Sequence, residues 1–169
     1  MPDIEYVDDR METEELLERL CPPVRNWFID KFPDFTEPQK VAIPRILKGE
    51  HLLLCSPTGS GKTLTAFLTI IDDLVRGALD GTLPDSVQCV YISPIKALAN
   101  DIEKNLLGPL GEIKERFLPS RAKEIKVGLR TGDTPQSERE KMLRKPPHIL
   151  ITTPESLGLG LASKRFRPI

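Results

Sequence analysis

The sequence predicts an α/β protein, a parallel sheet flanked by helices, on three observations. From residue 51 onward, short apolar runs alternate with helix-length amphipathic stretches. Several of those runs are rich in Leu, Ile and Val without polar alternation, the mark of strands covered on both faces. One run leads straight into a cluster of small residues and then a helical pattern, LCSPTGSGKTLTAF over 54–67.

The elements follow in order. Residues 1–10 read as an acidic lead-in. TEELLERL (13–20) predicts a short helix with Thr13 as its cap, and CPP stops it. VRNWFIDKF (24–32) predicts a second, with Trp27, Phe28 and Phe32 on one face. FTEPQKVAIPRILKGE (35–50) predicts a helix from Thr36, with Pro38 tolerated in the first turn and Gly49 as terminator. Its apolar face is Val41, Ile43, Ile46 and Leu47; Pro44 conflicts with it and predicts a kink or a shift. HLLLC (51–55) predicts a strand and 62–79 a helix. VQCVYIS (87–93) predicts the next strand, and 96–117 a helix broken near Gly108–Pro109. IKVGLR (125–130) predicts a strand, and 134–145 a helix capped by Thr134. HILITT (148–153) predicts the last strand, and 154–163 a further helix.

The bulk properties narrow the classes. The length, 169 residues, suits a single domain, with 39% hydrophobic and 29% charged side chains. No apolar run approaches the ~18 residues of a membrane-spanning helix. The acidic start lacks a basic-then-apolar export pattern, so the expectation is a cytoplasmic protein. The three cysteines, Cys21, Cys55 and Cys89, are odd in number and lack metal spacing. Two of them fall in predicted buried strands, and reduced core thiols are expected. Net charge is −1, so bulk electrostatics do not announce a polyanion partner. The charge is uneven, with an acidic segment over 1–20 and a basic one over 121–145.

The stretch at 54–63 nearly matches G-x-x-x-x-G-K-[ST], with Ser56 in place of the first glycine. A predicted strand precedes it and a predicted helix follows, as a phosphate loop requires. Gly59 and Gly61 permit the backbone angles that turn successive N–H groups inward. Thr58, Gly59, Ser60, Gly61, Lys62 and Thr63 are therefore the candidate cradle for a nucleoside triphosphate. Lys62 supplies charge for the phosphates, and the Thr63 hydroxyl is a candidate Mg2+ ligand. His51 and His148 have no partner acid or thiol at ligand spacing and read as structural, as does Glu155 in a first helical turn.

The remaining motifs carry a resemblance. PTGSGKT (57–63) resembles motif I of the superfamily 2 DExH/D-box helicases, and FTEPQ (35–39) their Q motif. SPIKALAND (93–101) resembles motif Ia, RTGDT (130–134) the glycine-containing motif after it, and TTPESL (152–157) motif Ib. The wording of TTPESL, with WF upstream and GKTLTAF downstream, is most similar to the large helicase-related (Lhr) group. The resemblance implies a P-loop NTPase (RecA-like) domain over 35–169, preceded by a helical extension over 1–34. It implies ATP and Mg2+ as cofactors and Gln39 as the reader of adenine. Phe35 or Phe28 could pack on the base, although core packing suits either better. It implies a nucleic-acid partner, a single strand or duplex junction, with DNA favoured over RNA. Lys96, Arg130, Thr131, Gly132, Thr134 and Thr153 would contact its backbone at strand ends, where ligand crevices form.

One part of the family pattern is absent from these residues. The Asp-Glu pair of motif II follows motif Ib in the family, and no such pair ends a predicted strand here. Asp72 and Asp73 lie inside the helix after the phosphate loop. The expectation is therefore a truncated first domain, the N-terminal ATP-binding part of a DNA or RNA helicase, with a second RecA-like domain elsewhere. Alone it would bind nucleotide without hydrolysis, with no residue assigned a catalytic role, and leave an unpaired sheet edge. The alternatives are a self-contained small P-loop enzyme and a non-catalytic nucleic-acid-binding adaptor.

Overall fold

Three parallel strands form the sheet in a computed structural model of the chain, which describes residues 5–94, 102–163 and 166. In chain order the elements are helices α1 (Thr13–Arg19), α2 (Pro22–Lys31), α3 (Glu37–Leu47) and α4 (Lys62–Asp80), then strand β1 (Cys89–Ile92). A π-helical turn, Glu103–Leu107, leads into α5 (Gly108–Phe117). Strand β2 (Val127–Arg130), α6 (Gln136–Arg144), β3 (Ile149–Thr152) and α7 (Pro154–Ala162) follow. Contacts divide the chain into two units, Met1–Val75 with Asn105–Pro119, and Arg76–Lys104 with Ser120–Ile169; α4 runs from the first into the second.

The first unit holds α1 to α3, the predicted phosphate loop and α5. Its core is apolar and closed: Leu16, Val24, Ile43, Phe67 and Ile113 are fully buried. Phe28 and Phe35 stack with ring centroids 4.0 Å apart and are also buried, so both aromatics belong to the core. α2 lies against α5, where the Trp27 indole and the Lys31 ammonium each donate to Glu112 at 2.9 Å. α1 lies against α3. Asp72 is buried on α4 and accepts from the Cys21 N–H at 2.6 Å. This acid ties α4 to the residue before α2. Pro44 sits inside α3, which continues past it to Leu47.

In the second unit the strand order is β1-β3-β2. The register pairs Tyr91 and Leu129 with Ile151 from opposite sides, so the three share a face. β3 is central and buried along its whole length, as its apolar sequence demands. His148 anchors the entry to the sheet. Its backbone N–H donates to Lys126 O at 2.8 Å, its carbonyl accepts from Gln88 and Cys89, and its Nδ1 accepts from the Lys126 N–H. The structural reading of His148 fits that role.

Several expectations are corrected. Residues 51–55 form no strand, and Leu53 is 83% exposed. A strand exists only when a neighbour completes its hydrogen-bond ladder, and no described segment pairs with this run. Cys55 is accordingly exposed and Cys89 half-buried, so Cys21 alone of the three is a buried thiol. Thr13 is the first residue of α1, with Glu12 at the cap, because the Thr13 hydroxyl is drawn to Asp34. Thr134 does not cap α6 either; Pro135 occupies that place. The helix expected over 96–117 lies partly outside the described residues, and its break falls at Gly108, where the π turn gives way to α5.

Candidate functional site

The phosphate loop is built by two glycines and by the first turn of α3. Gly59 and Gly61 have φ of +83° and +86°, angles that a side chain disfavours by about 1–2 kcal/mol. They reverse the chain so that α4 opens at Lys62. The amides of that first turn have no intrahelical acceptor and carry the positive end of the helix dipole. The Lys62 ammonium folds back over the loop and donates to the carbonyls of Ser56 at 2.5 Å and Pro57 at 2.7 Å. The two serine hydroxyls, Ser56 and Ser60, are 2.5 Å apart and close the loop across its base.

Gln39 joins this group from α3. Its Oε1 accepts from the Thr36 N–H at 2.9 Å, and its Nε2 points at the Gly61 carbonyl at 3.5 Å. The Thr36 hydroxyl donates to Ser60 O, and the Thr65 hydroxyl to Gly61 O, each at 2.9 Å. The far side of the loop is thus gripped by three side chains, of which Thr36 and Thr65 carried no assignment from motif reading. Thr36 was legible as part of FTEPQ; Thr65 had no signal, because its bond is one turn of helix back to a carbonyl. A cavity of about 340 Å3 lies beside the loop, lined by Ile46, His51, Leu54, Lys62, Thr65 and others. Thr58 and Gly59 form the exposed tip, and Thr63 is half-buried. These residues fit a triphosphate: a left-handed glycine loop, a helix start and an ammonium converge. Among the described residues no cluster of three or more His, Cys, Asp or Glu could hold a metal.

The second candidate group lies in the other unit, at the carboxyl ends of β2 and β3. The two strands are neighbours, so Arg130 at the end of β2 and Thr131, Gly132 and Thr134 after it adjoin Thr153 after β3. The Thr152 hydroxyl ties the two ends by donating to Arg130 O at 2.7 Å. Thr134 Oγ1 accepts from the Thr131 N–H at 2.8 Å and closes the loop after β2. Thr153 caps α7, accepting from Ser156 N at 3.3 Å. The Arg130 guanidinium lies 4.2 Å from the Phe166 ring centroid. Burial, with repulsion from Arg139, lowers its pKa from the ordinary arginine value. Gly132 is exposed, and a side chain there would meet nothing within 4 Å. Lys96 lies outside the described residues. Arg139 was missed: its guanidinium holds the loop after β2 through three carbonyls.

Comparison with known proteins agrees with this architecture. The model of the DEAD/DEAH box helicase family matches residues 36–167. The chain is 47% identical over 165 residues to an ATP-dependent helicase Lhr-Core of Methanocaldococcus jannaschii, covering 96% of this chain and 20% of the relative. To the Lhr-Core of Methanothermobacter thermautotrophicus it is 55% identical over 161 residues, covering 94% and 19%. The chain therefore spans about a fifth of the length of these curated relatives. Among solved structures it resembles the Mycobacterium smegmatis helicase Lhr bound to ssDNA and AMP-PNP, with a TM-score of 0.73 and 44% identity over 88% of this chain and 19% of that one. A DEAD-box helicase bound to ssRNA and UDP-BeF shares the fold at a TM-score of 0.68 and 24% identity, covering 95% of this chain and 31% of that one. The parallel sheet with its flanking helices is a RecA-like helicase fold, and the chain belongs to the DEAD/DEAH box helicase family.

Proposed function

We propose that this chain is the ATP-binding part of an Lhr-type helicase, which couples ATP hydrolysis to translocation along nucleic acid and to its unwinding. One observation carries the reading: the Lys62 ammonium lies over a loop whose Gly59 and Gly61 both adopt left-handed angles, at the opening of α4. An ammonium bonded to two backbone carbonyls is a stand-by arrangement. A polyphosphate is the stronger acceptor, and Lys62 exchanges the Ser56 and Pro57 carbonyls for phosphate oxygens. The first-turn amides of α4 complete the anion contact. The Thr63 hydroxyl would hold Mg2+, which otherwise keeps phosphate oxygens and waters as ligands. Gln39 has one amide hydrogen and one lone pair engaged within the protein. Its second hydrogen and second lone pair are the groups that would read adenine. Mg-ATP, when bound, supplies the phosphoryl-transfer energy for movement.

The nucleic-acid contacts are assigned to Arg130, Thr131, Gly132, Thr134 and Thr153, with Lys96 as an added charge. Hydroxyls, an open glycine and a helix start hold a sugar–phosphate backbone without reading its sequence, as a translocating enzyme needs. The M. smegmatis relative was solved with ssDNA, which favours DNA over RNA as the strand for this chain too.

Calorimetric titration tests the reading. Mg-ATP should bind the wild-type protein, and Lys62→Ala should weaken that binding by about 100-fold while leaving the thermal transition in place. GTP should bind more weakly than ATP, and Gln39→Ala should remove the difference. No heat from wild-type protein at millimolar Mg-ATP would overturn the proposal.

A further inference from the structure

α6 is an oddity of packing: none of its residues is buried. Its packed side is only half-buried, at Arg139, Met142 and Leu143. Arg139 adds polar bonds to that side. Its Nε donates to the Thr134 carbonyl at 2.8 Å. Its Nη2 donates to Thr131 O at 3.1 Å and to Gly132 O at 2.7 Å. One rigid planar group therefore collects the carbonyls of the loop that follows β2.

That arrangement sorts the loop's polarity. Three of the loop's carbonyls are drawn onto a cation, and the N–H groups of Thr131, Asp133 and Thr134 are bonded within the loop. Among the described residues the Gly132 N–H and the Thr131 hydroxyl hydrogen are therefore the loop donors left for a ligand. Thr131 Oγ1 accepts from the Asp133 N–H at 3.3 Å, and Thr134 Oγ1 accepts from the Thr131 N–H. The hydroxyl hydrogen of Thr134 is spent on Leu129 O. Gly132, at the tip, has open space where a side chain would be. Asp133, the acid of this loop, is exposed. Loop carbonyls facing a phosphate would repel it; Arg139 removes them from that face.

We infer that Arg139 is a positioning residue for nucleic-acid binding: it orients the 131–134 loop toward the strand backbone without itself contacting the strand. The inference rests on the proposal that this loop meets nucleic acid. It is independent of the phosphate loop, which lies in the other unit.

The experiment measures binding of a fluorescent oligo-dT strand by anisotropy across a salt series, using the full chain and its Arg139→Ala and Arg139→Lys variants. Both variants should bind the strand at least about tenfold more weakly, because an ammonium cannot span several carbonyls in a fixed plane. The slope of log affinity against log salt should stay unchanged, since no phosphate-paired cation is lost. Mg-ATP affinity should also stay unchanged. A slope shallower by about 0.7 marks the loss of one direct phosphate contact and overturns the positioning role. Wild-type affinity in Arg139→Lys overturns it too, because a single charge would then suffice. Where Arg139→Ala fails to fold, Arg139→Lys carries the test. Absence of strand binding by the wild-type protein overturns the underlying assignment of the loop, and the inference with it; wild-type binding with unaltered variants overturns the inference alone.

Discussion

The side-chain nitrogen of Gln39 sits 3.5 Å from the Gly61 carbonyl, and a methyl group on Gly61 would lie 2.7 Å from that same nitrogen. A side chain at Gly61 would therefore displace the Gln39 amide. Gly61 is favoured for that contact as well as for its left-handed backbone.

Gly59 provides an internal control, because a methyl group there meets nothing within 4 Å. Both glycines have left-handed φ, so alanine at either should cost about 1–2 kcal/mol in stability. Gly61→Ala should cost more than Gly59→Ala, because it also displaces the Gln39 amide. Chemical denaturation of the two variants measures the difference. Equal losses would show that the Gln39 contact is slack.

His148 should make stability fall in mild acid. Burial pushes its pKa below the ordinary 6.5, and repulsion from Lys126 and Lys123 adds to this; Asp85 and the Pro84 carbonyl pull weakly the other way. The neutral ring is thus favoured in the fold, where Nδ1 must accept from the Lys126 N–H. Its contribution is complete above pH 6.5. It is lost as the pH falls from there through the folded pKa, because the unfolded chain takes up the proton first. Urea midpoints should drop between about pH 7 and pH 5. His148→Asn keeps an acceptor and cannot titrate, so its midpoints should be flatter over that window. Carboxylates held low by partners, such as Asp34 beside Thr13 and Lys40, lose their contribution only below 3.8.

Gly128 is the tight point beneath α6. A methyl group there would lie 2.8 Å from Pro147 Cγ and 3.0 Å from its Cβ. A proline ring cannot swing aside, so Gly128→Ala should destabilise the protein by about 1–3 kcal/mol through overpacking. Gly132→Ala, in open space, should leave the thermal midpoint close to wild type. A Gly128→Ala midpoint equal to wild type would mean the Pro147 segment gives way freely.

Thiol reactivity should single out one cysteine. Cys55 is exposed, Cys21 is buried, and burial pushes the Cys89 thiol up to about 11, so it carries almost no thiolate at pH 8. A disulfide reagent at that pH should show one fast phase that Cys55→Ser removes. Survival of the fast phase in that variant would place Cys89 or Cys21 in solvent.

The glycine bend and helix start at 54–63 were legible because every requirement there is local. Glycine alone enters left-handed angles freely, and a helix start with lysine must follow. The strands at 87–93, 125–130 and 148–153 were legible because each apolar run found a neighbour, although only the central β3 is buried along its whole length. Residues 51–55 have the same apolar character and form no strand, since pairing depends on what lies alongside.

Sequence by itself determined the residues that must bend, carry charge or hide from water: Gly59, Gly61, Lys62 and the apolar runs. Only the tertiary structure decided which partners those residues met. It turned the Thr13 and Thr134 hydroxyls away from helix caps and toward Asp34 and Leu129, and it brought Gln39 onto Gly61. It also set Arg139 beneath the carbonyls of Thr131, Gly132 and Thr134. Local conformational preference is a property of a few neighbouring residues, whereas a hydrogen bond between side chain and loop depends on where the whole chain has brought its donors and acceptors.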